Sequence, residues 1–480
     1  MNRRELAGKI EQVCEVMRRD GLTILGYMEQ LSWLIFLKVF EDLEERFRLE
    51  AEFEGRKYEP IIDPKFSWSS WARRDMRAQD LKAFIEGELL PYLRGLHGSK
   101  ERDLIASVFA EVSQRMRDPF NLKEVVMMLD DIDFNDPEDS HVLSQLYEEL
   151  LMMMGKEGGA AGEYYTPRPI VRLMVKIVNP KIGETVFDPL CGSCGFLVES
   201  FNWMKSQRKL TVEEERFLQE KTFYGQELKA LPYLIGIMNC ILHGLLSPNI
   251  VRRDTFEENV VITPSRRFDV ILTNPPFGGK VAKHLRDNLP FPTGSTELAA
   301  LQYCMRKLNK GGRCGIVLPE GVLFRGGVYK RVKMELLSNF NVHTIVSLPS
   351  GTFAYIAPKG GTGPKANLVF FDKTGPTEEI WYYELQGEYT KANPVKDEDL
   401  VDCFKKWKNR ETSENSWIVS VEEIREKDYD LSARNPNRKE EITYVEPEEL
   451  VKSILEKERQ ILELLEDFQK IINNNGGGCE

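Results

Sequence analysis

The spacing of apolar residues along the chain changes character twice. Through residues 1 to about 155, apolar positions recur at three and four spacing. "LGYMEQLSWLIFLKVFEDLEERF" and "HVLSQLYEELLMMMGK" both show it, which predicts a mostly helical region. Turn-rich stretches, "FSWSSWARRD" and "FNDPEDS", separate the helices. "GKEGGAAGE", residues 155 to 163, breaks the composition and reads as a hinge or a substrate-facing loop. From about 163 to 373 short apolar runs alternate with amphipathic stretches. The runs predict strands at 185–187, 223–225, 268–273, 314–318, 344–348 and 367–371, with a further short strand ahead of Asp254. Helices are expected at 170–178, 196–205, 230–245, 297–308 and 329–337. Such alternation predicts an α/β fold with a mostly parallel, doubly wound sheet, whose ligands lie beyond the carboxyl ends of the strands.

Residues 374 to about 445 read as mixed and polar. The last segment, "EPEELVKSILEKERQILELLEDFQKIINN", predicts one long helix. Its residues Leu450, Ile454, Ile461, Leu465, Phe468 and Ile472 form a heptad-like stripe. Three regions are therefore expected: 1–155 helical, 156–445 α/β, and 446–480 a C-terminal helix.

Composition narrows the class. With 480 residues, 42% apolar and 29% charged, the chain reads as a soluble globular protein of more than one core. No run of about 18 apolar residues suggests a spanning helix. The opening "MNRRELAGKIEQ" lacks an apolar h-region, so cytoplasm is the expected compartment. Eight scattered cysteines make no disulfide framework, and five histidines never fall at ligand spacing, so no metal is expected. The net charge of −11 suggests that any nucleic acid is held with help from elsewhere.

Four strand ends carry candidate chemistry. "GETVFDPLCGSCGFL" runs from a strand through Asp188-Pro189 into a small-residue turn, residues Gly192, Ser193, Cys194 and Gly195, and then a helix. Such a turn lets backbone amides approach an anionic group, and equally serves as plain structural economy. "FYGQELK" ends a strand near Glu227, where an acid can accept both hydroxyls of a ribose. "NIVRRDTFE" places Asp254 to meet an adenine edge. Taken in order, these fit an adenosine-bearing cofactor, and the lack of G-x-G-x-x-G sets hydride chemistry back. "FDVILTNPPFGGK" then ends a strand in Asn274-Pro275-Pro276-Phe277, where two prolines stop the ladder. An Asn oxygen and a proline carbonyl can accept from an exocyclic amine and localise its lone pair, while Phe277 stacks on the ring.

With those residues in view, the chain resembles the amino-methyltransferases that use S-adenosylmethionine. "GEYYTPRPIV", residues 162 to 171, is more specific. It resembles the methionine-side motif of the modification (HsdM-type) subunits of type I restriction–modification systems. "GGRCGIVLPEGVLF", "LPSGTFA" and "NLVFFDK" also fit that family, and the resemblance spans essentially the whole chain. It implies a Rossmann-like methyltransferase sheet, transfer to adenine N6 in DNA, and a flipped target base. It also implies a specificity subunit as partner, two copies of this chain per complex, and a restriction subunit as a further partner. By the same resemblance Glu163, Tyr164, Tyr165, Thr166, Pro167 and Arg168 line the methionine end. Asp188 and the Gly192–Gly195 turn hold the amino acid moiety, Glu227 the ribose and Asp254 the adenine. Asn274, Pro275, Pro276 and Phe277 hold the target. One position departs: Cys194 stands where the family places glycine, which predicts weakened donor affinity if the site requires positive φ.

Parts of the pattern also fit other functions. "CGSC" is also a C-x-x-C at a helix start, as in thioredoxin-like redox pairs. A stand-alone adenine methyltransferase, a protein-glutamine methyltransferase and a catalytically impaired scaffold share parts of the pattern. The C-terminal stripe fits either a partner helix or packing on its own domain.

Overall fold

The computed structural model describes residues 3–53, 55, 57–132, 165–262, 264–354, 363–432, 434–437, and 451–452, 454–459, 461–462 and 465. Residues 1–436 pack as one compact unit and 437–480 form a second.

The alternating segment builds a nine-stranded sheet: β1 Val186–Asp188, β2 Phe223–Glu227, β3 Asn249–Arg252, β4 Phe268–Thr273, β5 Leu308–Pro319, β6 Asn341–Leu348, β7 Ala366–Asp372, β8 Glu379–Glu384 and β9 Ser416–Ser420. Their spatial order is β3-β2-β1-β4-β5-β7-β6-β8-β9. The first five strands run parallel, β7 is antiparallel to both β5 and β6, and β6 and β8 are parallel. Period-two alternation sends side chains to two cores. Val270 and Leu272 of β4 face one core and Ile271 the other, which Phe268 also joins because the register shifts between it and Val270. On β7, Leu368 and Phe370 face the first while Val369 and Phe371 face the second. Helices cover both faces, as a mostly parallel sheet requires.

The stretch 374–445, read from sequence as mixed and polar, adds β8 and β9 to the sheet. "EIWYYE" has bulky side chains on both faces, so no polar–apolar alternation announces it. Trp381 and Tyr383 fill one core, and Ile380 and Tyr382 the other. Tyr382 stacks on Trp417 of β9 at 5.4 Å and 11°. Arg172 clamps Asp397 with two hydrogen bonds, tying the same stretch to the helix Arg168–Val178.

The N-terminal region is helical, led by α1 Arg3–Arg19 and α2 Ile24–Phe53. "LSWLIFLKVF" is core: Trp33, Leu34, Ile35 and Phe36 are all buried. Among the described residues no helix is long and apolar enough to cross a membrane. The N-terminal helices sit against the helix Ala230–Leu242, where the Ser107 and Tyr233 hydroxyls are 2.8 Å apart, and Arg252 pairs with Glu111. Two adjacent arginine pairs, Arg73-Arg74 and Arg266-Arg267, are engaged within the chain. Arg73 and Arg74 pair with Asp75 and Asp131, Arg266 lies 3.9 Å over the Tyr224 ring, and Arg267 donates to the Arg306 carbonyl.

In the second unit the described residues between 451 and 465 are helical, and Ile454, Leu455, Ile461, Leu462 and Leu465 are each more than half exposed. Leu450, Phe468 and Ile472 lie outside the described residues, as do 141–163 with "HVLSQLYEELLMMMGK" and the glycine-rich break.

Candidate active site

Four neighbouring parallel strands deliver the site residues to one edge of the sheet. Across that edge stand Asp254 just beyond β3, Glu227 ending β2, Asp188 ending β1 and Asn274 just beyond β4. A cavity of about 320 Å³ opens there, within the range of small-molecule sites. Gly192, Glu227, Asp254, Asn274, Pro276 and Phe277 line it, together with Leu228, Arg253 and Phe256, which sequence reasoning did not single out.

Glu227 is held by the backbone around it. One carboxylate oxygen accepts the Gly192 amide at 3.0 Å and the other the Lys229 amide at 2.8 Å. Burial pushes its carboxyl up, and the amides of Lys229 and Gly192 oppose this. Asp254 caps the short turn Thr255–Glu257 by accepting the Phe256 amide at 2.9 Å, which presents Phe256 to the cavity. Asp188 is buried behind the wall. Its carboxyl is pushed up to about 7 by burial, with the Leu190 amide at 3.1 Å opposing and the Glu227 charge adding to the shift.

Asn274 is oriented rather than free. Its amide nitrogen donates to Thr166 Oγ1 at 3.0 Å, so Oδ1 faces the other way. That oxygen is buried and has no hydrogen-bond partner. An unpaired buried acceptor costs roughly 1–3 kcal/mol, which a folded chain tolerates where a ligand supplies the donor. Phe277 stands edge-on to Phe353 at 5.5 Å and 72°, which leaves the rest of its ring to the cavity.

The remaining expected residues stand behind the wall or outside the described chain. Tyr165 and Pro167 are buried, and Thr166 acts on Asn274. The Arg168 guanidinium lies over Gly195 so closely that a Cβ there would meet it at 2.5 Å. Ser193 is buried, its carbonyl accepting from Asn239 at 2.7 Å, and Pro275 is buried beside the cavity residues. Glu163 and Tyr164 lie outside the described residues.

Cys194 does occupy the left-handed region, with φ 59, so the glycine preference at this position has a physical basis. Its thiol, however, points into the protein against Gly236, where an added Cβ would sit 2.6 Å from the sulfur. Its neighbours there are the Cys191 and Cys240 thiols. Donor binding measured by isothermal titration is therefore expected to be the same for wild type and Cys194→Gly. A clear gain in affinity for the glycine variant would show that the thiol does reach the donor. The redox reading fares worse. The hydrogen bond that Cys191 donates to Cys194, with burial, holds the Cys191 thiol well above its ordinary range, and burial does the same for Cys194. A redox pair needs an accessible thiolate, which these are not.

The strand order, with its antiparallel β7, and the acids at consecutive strand ends define a nucleoside-cofactor methyltransferase sheet. Residues 138–444 match the N-6 DNA Methylase family, and residues 6–129 match the HsdM N-terminal domain. The methylase subunit of the Escherichia coli type I restriction enzyme EcoEI is 33% identical, with 97% of each chain covered. A chain from a structural study of assembly and conformational transition in a type I restriction–modification system is 44% identical, with TM-score 0.83 and 99% of each chain covered. A modification subunit of a putative type I restriction enzyme from Vibrio vulnificus YJ016 is 38% identical, with TM-score 0.79 and coverage of 91% of this chain and 98% of that one. The chain belongs to the N-6 DNA methylase family, as a type I restriction methylase subunit. It is an enzyme that transfers a methyl group from S-adenosylmethionine to adenine N6 in DNA.

The residues present fit that cofactor. Gly192 at φ 50 brings backbone close to the cavity, two strand-end carboxylates offer acceptors for a ribose and a base edge, and Phe256 supplies an apolar wall.

Proposed function

We propose that the cavity at the carboxyl edge binds both the donor and the flipped adenine, and that Asn274 is the amine acceptor of the reaction. The buried, unpartnered Oδ1 of Asn274 carries this reading. Glu227 takes the ribose hydroxyls and Asp254 the adenine edge of the donor, while Asp188 and the Gly192–Gly195 turn serve its amino acid end. Tyr165 to Arg168 back the methionine side, with Thr166 holding Asn274 in register. The bound cofactor supplies an electrophilic methyl group. Asn274 Oδ1 and the Pro275 carbonyl accept the two N6 hydrogens, drawing the nitrogen lone pair out of the ring and toward that methyl. Phe277 stacks on the base, offsetting part of the few kcal/mol that flipping costs. Asn274→Ala tests this arm: methyl transfer is expected to be lost while donor binding remains.

Sequence specificity belongs, in this reading, to a separate specificity subunit, joined by two copies of this chain and, in the restricting complex, by a restriction subunit. The complex works in the cytoplasm. Region 1–155 helps to enclose DNA, 156–445 carries catalysis, and 446–480 is the subunit contact. Support for the last comes from the helix around 451–465, whose Ile454, Ile461 and Leu465 are exposed at 53%, 56% and 58%. Heptad spacing of that kind suits a helix-to-helix seam. Deleting 447–480 is expected to abolish co-purification with the specificity subunit while donor binding persists. Co-purification of the truncated chain would place the contact elsewhere.

A further inference from the structure

The turn that carries Asn274 leaves β4 and must hold a fixed shape without ladder bonds, since Pro275 and Pro276 donate none. Its far side is strapped to the helix Thr296–Lys307. The Gly278 amide donates to Glu297 Oε1 at 2.6 Å, and the other carboxylate oxygen accepts from the Ser295 hydroxyl at 2.7 Å. The Thr296 amide donates back to the Gly279 carbonyl at 3.2 Å, and the Val281 amide to the Gly294 carbonyl at 3.0 Å. Contact is tight enough that a Cβ on Gly279 would lie 2.7 Å from Thr296 Oγ1.

Glu297 is 6% exposed, a costly place for a carboxylate. An acid in the first turn of a helix ordinarily serves that helix's own free amides. Here Ser295 already caps the helix, accepting the Leu298 amide, and Glu297 reaches out to the catalytic turn instead. The same helix also grips the donor side. Near its other end, Tyr303 donates to Glu258 at 2.6 Å and Lys307 at 2.9 Å. Glu258 directly follows the short turn that Asp254 caps. One rigid rod of twelve residues, roughly 18 Å long, thus fixes the amine-binding turn at one end and the donor-adenine loop at the other.

We infer that Glu297 is a positioning residue for methyl transfer: through the Gly278 amide it holds the Asn274–Phe277 turn in alignment with the donor cavity. The inference rests on the reading of Asn274 as the amine acceptor. A small misplacement of a reacting group costs about 10²-fold in rate, so the loss falls on the chemical step and not on donor binding.

The test uses the full chain assembled with its specificity partner, on DNA carrying the mapped target with 2-aminopurine at the methylated position or adenine for turnover. Glu297→Ala is expected to lower kcat by about 10- to 100-fold, with donor affinity unchanged and 2-aminopurine fluorescence still rising on binding. Glu297→Gln is expected to recover most of kcat, because its amide oxygen still accepts the Gly278 amide. Gly279→Ala, which pushes the turn off the helix while sparing Glu297, is expected to copy the alanine variant, and it decides the matter should Glu297→Ala not fold. Unchanged kcat in Glu297→Ala or Gly279→Ala, or a donor affinity that falls in step with kcat, would overturn the inference. A glutamine variant as impaired as the alanine one would do the same. Asn274→Ala separates the two readings: activity in that variant removes the site assignment itself, whereas an inactive Asn274→Ala beside a fully active Glu297→Ala removes only the role of Glu297.

Discussion

Replacing Asn274 with alanine is expected to lower kcat by about 10²–10³-fold or more, the scale seen when one preorganised polar group is removed from a transition state. The reason is electronic. The N6 amine of adenine has its lone pair spread into the ring and becomes nucleophilic only as its hydrogens are drawn toward acceptors. In the proposed site the acceptor is preset: Thr166 fixes the Asn274 amide nitrogen, and Oδ1 is buried with no other bond to give up. The expected signature is a loss confined to kcat, with S-adenosylmethionine still bound as in wild type, since Glu227 and Asp254 are untouched. Asn274→Asp is expected to lower activity as well, because it would place a charge in a buried position. Equal losses of donor binding and turnover would contradict the separation of roles. Steady-state kinetics beside calorimetric titration distinguishes the two.

Asp188→Asn is expected to move stability and donor binding in opposite directions. Burial holds the folded-state carboxyl at about 7, far above its ordinary value. The folded chain therefore keeps a proton that the unfolded chain has released, and stability falls as pH rises from about 4 through 7. The ceiling on this penalty is about 4 kcal/mol above pH 7, from roughly 1.4 kcal/mol per unit of displacement. Asparagine has no proton to lose, so the variant should melt higher than wild type at pH 8, and the gap should close toward pH 4. Glu227 also acts on Asp188, and its charge deepens the wild-type penalty, whereas the raised Cys191 and Cys194 thiols stay neutral in this range. If Asp188 serves the cationic amino end of the donor, wild-type affinity rises between pH 6 and about 7.5 as the carboxylate forms, and the variant binds weakly with a flat profile. A variant whose melting difference from wild type is the same at all pH values would refute the raised carboxyl, and a wild type whose affinity ignores pH in that window would remove Asp188 from the donor site.

Much of this site could be read before the fold was known, because its chemistry sits at strand ends. Apolar runs ending in Asp188, Glu227, Asp254 and Asn274 mark both the strands and the residues that project from them. The bonds that set the site's precision are a different matter. Thr166 meets Asn274 across 108 positions, and Glu297 meets Gly278 only because a loop folds back on a helix start. Neither leaves a periodic trace. Glu297 has a faint local signal, an acid two residues after a serine cap, which ordinarily means only a helix beginning. β8 escaped for another reason: both faces of "EIWYYE" are buried, so the polar alternation that announces a half-buried strand is missing. Cys194 shows the limit of reasoning from one position. Its positive φ follows from the turn, but the direction of its thiol depends on the space beside Gly236, which belongs to a helix some forty residues on.

This chain itself places a methyl group on adenine N6. The most direct measurement is a genome-wide map of N6-methyladenine in cells that otherwise lack it, expressing the chain with its specificity partner, beside the same pair carrying Asn274→Ala. The expected result is methylation at every copy of one sequence in the first strain and none in the second. Unmethylated DNA in the first strain, or methylation undiminished in the second, would contradict the account.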